Sequence, residues 1–382
     1  MRDGTGMIGG LLFSYAASAQ FDSYVKEFRL FADVINDVGL TLDMLAPYAG
    51  RGRVLYITSL ATICKTMCGM AAGATKGSIT HHFAIHGNMA DLNSKESTQE
   101  TLVSLLGMIF GIGLARYLHA LEKQGCGGND DEQEEYIADS SAQLISWAIF
   151  IFLTIVHVWA NYLGVKILKL RTLNRERTEV ALGNVINECV RRCQDNLLNG
   201  TGIEVPDVEP MLQTILTPHD VSESLWSSSR KLFFPGGVHL GARVGDAFRG
   251  MEQIEISDTM DNFEDERYLI TLQNDRAREI ISVVLCAGST EEDELKAFVH
   301  AQVLSALCKR NPCSLNDQFR CQMYISTTYE CIKQLFQATG PKSVGSSLSL
   351  DWLKERGWEI SRLYIGFGRY RVQIGDARKK DE

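Results

Sequence analysis

The chain has 382 residues, 45% hydrophobic and 22% charged, a composition that excludes an intrinsically disordered protein. With 38 Lys and Arg against 47 Asp and Glu, the net charge of −9 argues against a general nucleic-acid binder. The length suffices for two domains of ordinary size.

Two asymmetries divide the chain. Pro47 is the one proline before residue 206, so several long helices can follow one another there. Through Arg177 there are 15 basic and 17 acidic residues; the remainder holds 23 and 30. The expected fold is therefore a mainly α, membrane-associated helical bundle over 1–178, followed by a small, soluble α+β domain over 179–382.

In chain order, Gly4-Thr5-Gly6-Met7-Ile8-Gly9 matches G-x-G-x-x-G, but a dinucleotide fingerprint needs a strand before it, and only Met1 to Asp3 precede it. Glycine for close packing is the better reading. Gly4 to Phe21 lacks the basic start of a secretory signal, and none is read. Tyr24, Phe28, Phe31, Ile35, Val38, Leu42 and Leu45 step by four and three, the apolar seam of a helix. On the other side gather Asp22, Lys26, Arg29, Asp33, Asn36 and Asp37, with i,i+4 charge pairs at Asp22–Lys26 and Arg29–Asp33. Such a face is either solvated or, in a membrane-proximal bundle, a buried polar cluster marking a ligand path. The pattern leaves both open.

Gly69, Gly73 and Gly77 repeat at four-residue spacing, as do Gly107 and Gly111, and these stripes predict closely packed helices. His81, His82 and His86, with Asp91 nearby, lack the H-E-x-x-H arrangement, and no metal site is read. Thr101 to Ala115 is apolar but short for a span, and with Arg116 snorkelling it forms one arm of a helical hairpin. The other arm is Ser140 to Val165, 26 residues without Asp, Glu, Lys or Arg. That run is long enough for a hydrocarbon core, with Trp159 and Tyr162 near its end. An acidic loop (Asp130, Asp131, Glu132, Glu134, Glu135) precedes it, and Lys166, Lys169, Arg171, Arg175 and Arg177 follow, which puts the basic end on the cytoplasmic or equivalent side.

Ten cysteines contain no C-x-x-C, so reduced, mostly buried thiols are expected, including the Cys189/Cys193 pair. The second half reads as a helix over Glu179 to Leu198, a proline-containing link, and a hairpin of Tyr268 to Leu272 with Glu279 to Cys286. Ser289 or Thr290 caps a following helix, with Glu292 three residues after Ser289. Another helix is expected near Tyr329 to Gln337, then a strand over Ser361 to Ile374. No P-loop or nucleophile elbow is present, and no cofactor is implied.

Five ordered strings resemble the Root UVB Sensitive family: DGTGMIGGLLF (from Asp3), FDSYVKEFRLFADVINDVGL (from Phe21), GMAAGATKGSITHHFA (from Gly69), NMADLNSKESTQET (from Asn88) and VHVWANYLGVKILKLRTLN (from Val156). Beyond them the resemblance is loose, mainly at Gly357-Trp358. Members carry further residues before the first string, so the resemblance implies a chain that begins inside the domain. It also implies a membrane-associated protein, linked in plants to UV-B sensitivity of roots, seedling development, vitamin B6 homeostasis and auxin transport, with no established catalytic residues. The expected partners are membrane lipid and homo- or hetero-oligomers of the family.

That resemblance favours a polar binding site at Lys26, Arg29, Asp33, Asn36 and Asp37, joined by Asn88, Asp91, Lys95, Glu96, Gln99 and Glu100. The function expected is non-catalytic binding or assistance to transport. A soluble scaffold, and an enzyme using Lys26, Lys65, Lys76 or Lys95 as a Schiff base on a B6-type molecule, are the alternatives.

Overall fold

The computed structural model describes residues 2–85, 87–125, 132–200, 208–225, 237–275, 278–311, 318–337, 348–368 and 370–373. Asp130 and Asp131 of the acidic loop, and His86, lie outside these residues. The chain divides into two compact units, Met1–Leu168 and Lys169–Glu382.

The first unit is helical: α1 Arg2–Ala17, α2 Val25–Leu45, α3 Gly50–Phe83, α4 Met89–Gly125 and α5 Glu132–Ile167. Helix α3 packs against α1 and α2, α2 also against α5, and α5 against α4. The α2 entrance is fixed by an aromatic cluster, in which Phe21 and Phe28 lie edge to face at 4.8 Å and Phe13 stacks on Phe31 at 5.5 Å.

Glycine does bring helices close, but not at the stripes picked out by spacing. A methyl at Gly69, Gly73, Gly77, Gly107 or Gly111 would meet no described atom within 4 Å. The close approaches are made by α1 and α2 instead. A Cβ at Gly6, Gly9 or Gly10 would lie 2.6–2.8 Å from the Cγ2 methyl of Thr62, Ile63 or Thr66, and one at Gly39 3.1 Å from the Ala61 carbonyl. The reason is which face each helix turns to its neighbour. On α3 that face carries small and β-branched side chains, and the glycines sit on the partners. Gly6 and Gly9 of the Gly4–Gly9 motif thus lie on a helix-packing surface within α1.

The apolar side chains of this unit point largely outward. Helices α3, α4 and α5 contain segments Gly52–Phe83, Met89–Ala120 and Gln143–Ile167, long and apolar enough to cross a membrane. In the most apolar windows of α4 and α5 no residue is buried by the fold. The expected span at Ser140 to Val165 lies almost wholly within the third segment, and the short run at Thr101 to Ala115 is the middle of a much longer helix.

The second unit is α+β. Strand β1 (Thr172–Asn174) pairs in parallel with β5 (Glu359–Tyr364), and β2 (Val238–Leu240) pairs in parallel with β4 (Arg278–Leu285). Strand β3 (Tyr268–Asp275) closes the expected antiparallel hairpin with β4. Short helices α6 (Arg175–Ala181), α8 (Glu209–Gln213), α9 (Pro218–Leu225), α10 (Val244–Ala247) and α11 (Gln253–Asn262) link these to a layer of longer ones. The longer helices are α7 (Gly183–Asn199), α12 (Glu291–Arg310) and α13 (Gln318–Phe336), while α14 (Leu350–Glu355) leads into β5.

Residues 268–272 and 281–286 are buried on both faces. Tyr268 faces α12, whereas Thr271 Oγ1 and Gln273 Nε2, on the opposite face, donate to the Ala247 carbonyl at 2.9 and 2.7 Å. The α12 cap is Thr290 with Asp293 rather than Ser289 with Glu292, since the Thr290 N–H donates to Asp293 Oδ2 at 2.8 Å. The last strand is also shorter than expected, because beyond Tyr364 only the Cys286–Val372 bridge is formed among the described residues.

Candidate functional site

Helix α2 turns its carboxylates inward. Asp33 is 8% and Asp37 7% exposed, whereas Val34 and Val38 on the same helix are each 43% exposed. Of the two readings open for this face, the buried polar cluster is the one found for these two residues. Burying an ionised carboxylate is costly unless hydrogen bonds or opposite charge compensate. For Asp37 the compensation is His157 of α5, whose Nδ1 lies 3.0 and 3.2 Å from the two carboxylate oxygens. On the same helix, Asn161 Nδ2 donates to the His157 main-chain carbonyl at 3.1 Å.

Asp33, one turn before Asp37, is less well served. Its Oδ2 is shut off from solvent and has no hydrogen-bond partner. The charges acting on it come from Arg29, His157 and Asp37, and Cys68 of α3 lies in the same field. Nearly two turns beyond Asp37, Asp43 forms an ion pair with Lys65 of α3. Through these side chains α2 is tied to α5 at Asp37 and to α3 at Asp43. Sequence reasoning missed His157 as a site residue. It lies in one of the family-like strings, but 120 residues from Asp37, a separation that no helical periodicity spans.

The α4 residues form a separate group. Lys76 of α3 lies 3.0 Å from Glu100 and 3.5 Å from Glu96, which the sequence did not pair with it. Asp91 and Lys95 pair with each other at 2.8 Å on the exposed face of α4, and Asn88 and Gln99 are exposed as well. Ser78 donates to Asp22 at 2.6 Å near the start of α2. Lys76 stands eight residues along α3 from Cys68, about 12 Å at helical rise. The structure thus brings Asp33 and Asp37 together, puts Glu96 and Glu100 in a second place, and does not unite the two sets. Lys26, Arg29 and Asn36 are half-buried on α2.

Besides Asn174, Glu176, Arg177 and Thr178 around the start of α6, two buried groups of the second unit bear on chemistry. Tyr268, His300 and Thr328 form a chain in which His300 Nδ1 is 3.1 Å from the Tyr268 hydroxyl and Nε2 is 3.0 Å from Thr328 Oγ1. The Thr328 proton already goes to the Tyr324 and Ile325 carbonyls of its own helix, so His300 donates from Nε2 and accepts at Nδ1. Burial, then Lys296, pushes this histidine down to about 3. Beside it Lys296 pairs with Glu266 at 2.6 Å, and the Tyr329 hydroxyl donates to Glu266 at 3.0 Å. Both ring nitrogens of His300 are engaged, which makes this a structural network. The second group is the thiols. Cys189, Cys193 and Cys331 are free and buried, as the sequence led us to expect, and among the described residues no group of His, Cys, Asp and Glu is arranged to hold a metal.

Residues 1–188 match a domain described as vitamin B6 photo-protection and homoeostasis, and residues 215–374 match the Root UVB sensitive protein C-terminal domain. The Arabidopsis thaliana protein root UVB sensitive 3 is 28% identical over 321 residues, covering 81% of this chain and 62% of that protein. RUS family member 1 of Dictyostelium discoideum is 31% identical over 177 residues, 46% of this chain and 30% of that one. The Arabidopsis protein named root UVB sensitive 2, chloroplastic, is 24% identical over 81% of this chain and 59% of its own. The chain thus spans less than two thirds of each of these relatives. No solved structure matches it. With the family's two domains matched in order over both units, the chain belongs to the Root UVB Sensitive family.

Proposed function

We propose that this chain is a membrane-embedded, non-catalytic protein that binds a small molecule or assists its transport, with the Asp33–Asp37–His157 cluster as its polar site. One observation carries the reading: carboxylates are buried in a bundle whose outward faces are apolar. Ionisable groups inside membrane bundles are costly and mark binding or transport paths. The vitamin B6 wording of the matched domain makes B6 vitamers the first cargo to measure.

The lysines speak against Schiff-base chemistry. Such a lysine needs a free amine in apolar surroundings. Lys65, Lys76 and Lys95 instead sit in ion pairs with Asp43, with Glu96 and Glu100, and with Asp91.

The test is complementation of cells lacking the protein, scored by B6 vitamer levels. Asp33→Asn and Asp37→Asn are each expected to reduce rescue about tenfold or more, the effect of losing one charge-assisted contact to the cargo, about 1.5–3 kcal/mol. The exposed Asp246→Asn serves as control. Full rescue by both buried-site variants, at wild-type abundance in the membrane fraction, would sink the reading.

A further inference from the structure

The unpartnered oxygen of Asp33 leads one step further. It is screened from solvent, sits one turn from a second buried carboxylate, and has no hydrogen-bond donor. A carboxylate oxygen in that position needs a positive partner or a proton. The groups facing it are Arg29 and Asp37 on α2, His157 on α5 and Cys68 on α3, with the Asp43–Lys65 pair one layer beyond.

We propose that Asp33, Asp37 and His157 bind one exchangeable proton, and that its uptake and release regulate the polar site. This rests on the cluster being the functional site of the bundle. A proton is favoured over other cations by access and by donor count. The Asp33 oxygen presents essentially no surface, so anything larger reaches it only if the helices move. Among the described residues no three or more His, Cys, Asp or Glu side chains converge as metal ligands do.

The geometry also supplies a relay. His157 Nδ1 addresses both oxygens of Asp37. A proton taken at Nε2 releases the Nδ1 proton to Asp37, leaving the ring neutral in its other tautomer. Asp33 is the next acceptor, with its Cβ about 5–6 Å from that of Asp37 at i,i+4 spacing. One proton enters and one comes to rest on the carboxyl pair, and no other reactant is needed.

Infrared spectra of the purified full-length protein in lipid nanodiscs, across about pH 5 to 9 in H2O and D2O, read this proton directly. The double difference between wild type and Asp33→Asn is expected to contain one carboxylic-acid band that shifts in D2O. Asp33→Glu is expected to retain that band at a shifted position, and Asp246→Asn to leave it unchanged. An Asp33→Asn protein with intact helical circular dichroism and no missing band would overturn the proposal. Should Asp33→Asn fail to fold, an Asp33→Glu spectrum identical to wild type would do the same.

Complementation separates this inference from the one beneath it. An Asp33-dependent band together with full rescue by both Asp33→Asn and Asp37→Asn upholds the proton and removes the functional reading of the site. Absence of the band together with lost rescue overturns the proton alone.

Discussion

Acidification is expected to loosen the second unit well before its carboxylates titrate, and His300 is the reason. Its native ring stays neutral down to about pH 3, whereas an unfolded histidine takes a proton near 6.5. Between those values the unfolded chain binds more protons than the native one, so stability rises with pH. The contribution is complete above about pH 6.5 and is lost progressively as pH falls toward 3, in total on the order of 5 kcal/mol. Glu188, held at about 2 by Arg191 and Arg192, adds a second loss that begins only below about 4.5. Hydrogen exchange of the full chain, corrected for intrinsic rates, is expected to show falling protection in β3, β4 and α12 from about pH 7 to about pH 4. In His300→Gln that slope should flatten. In His300→Leu protection should drop at all pH values, because the buried Tyr268 hydroxyl loses its acceptor, at a cost of about 1–3 kcal/mol beyond the lost packing. An unchanged pH slope in His300→Gln would contradict the neutral, doubly bonded ring.

Gly10→Val should be the most damaging single change in the first unit. Its Cβ would fall 2.6 Å from Thr66 Cγ2 and 3.1 Å from Met70 Sδ. Met70 can swing away, but Thr66 is β-branched and pinned, with its hydroxyl donating to the Thr62 carbonyl at 2.9 Å. Thr62, which faces Gly6, is held in the same way by the Thr58 carbonyl at 2.8 Å. Each methyl is thus aimed at a glycine by its own hydroxyl's hydrogen bond, and relief requires the helices to separate. Overpacking of this kind costs about 1–3 kcal/mol at a site, more for a valine that brings three new carbons. Gly6→Val and Gly10→Val share Thr66 as a neighbour, so their effects should not add. By contrast, Gly69→Ala and Gly107→Ala meet open space and should leave abundance and thermal stability in detergent unchanged. Equal losses in both sets would contradict the assignment of α1 as the close-packed partner of α3.

The contrast between these glycines shows what the sequence could convey. Four-residue spacing at Gly69 to Gly77 and at Gly107 and Gly111 did not mark a close neighbour, whereas the close-packing reading of the Gly4–Gly9 string holds at Gly6 and Gly9. Helix α2 teaches the same point. Its period was legible from Tyr24 to Leu45, but not which side the fold would bury: Phe28 turns in with Asp33 and Asp37, while Val38 turns out. As a long apolar segment α3 was overlooked because Lys65, Lys76 and its threonines and glycines dilute its hydropathy. The threonines nevertheless bond to their own helix carbonyls, as Thr58, Thr62, Thr66, Thr75 and Thr80 all do.

Local signals succeeded in the second unit. The β3–β4 hairpin and the α12 cap depend on neighbours in sequence and were read to within three residues. The parallel pairings of β1 with β5 and β2 with β4 join distant segments and left no local mark. The site was half legible for the same reason: its acids lie on one helix, and its histidine lies on another.

Membrane insertion of the first unit is most directly tested by alkaline carbonate extraction of membranes from cells making the full-length protein. Retention in the pellet is expected, because α3, α4 and α5 expose long apolar surfaces that the fold does not cover. Release into the supernatant would contradict insertion, and would require those surfaces to be covered by protein.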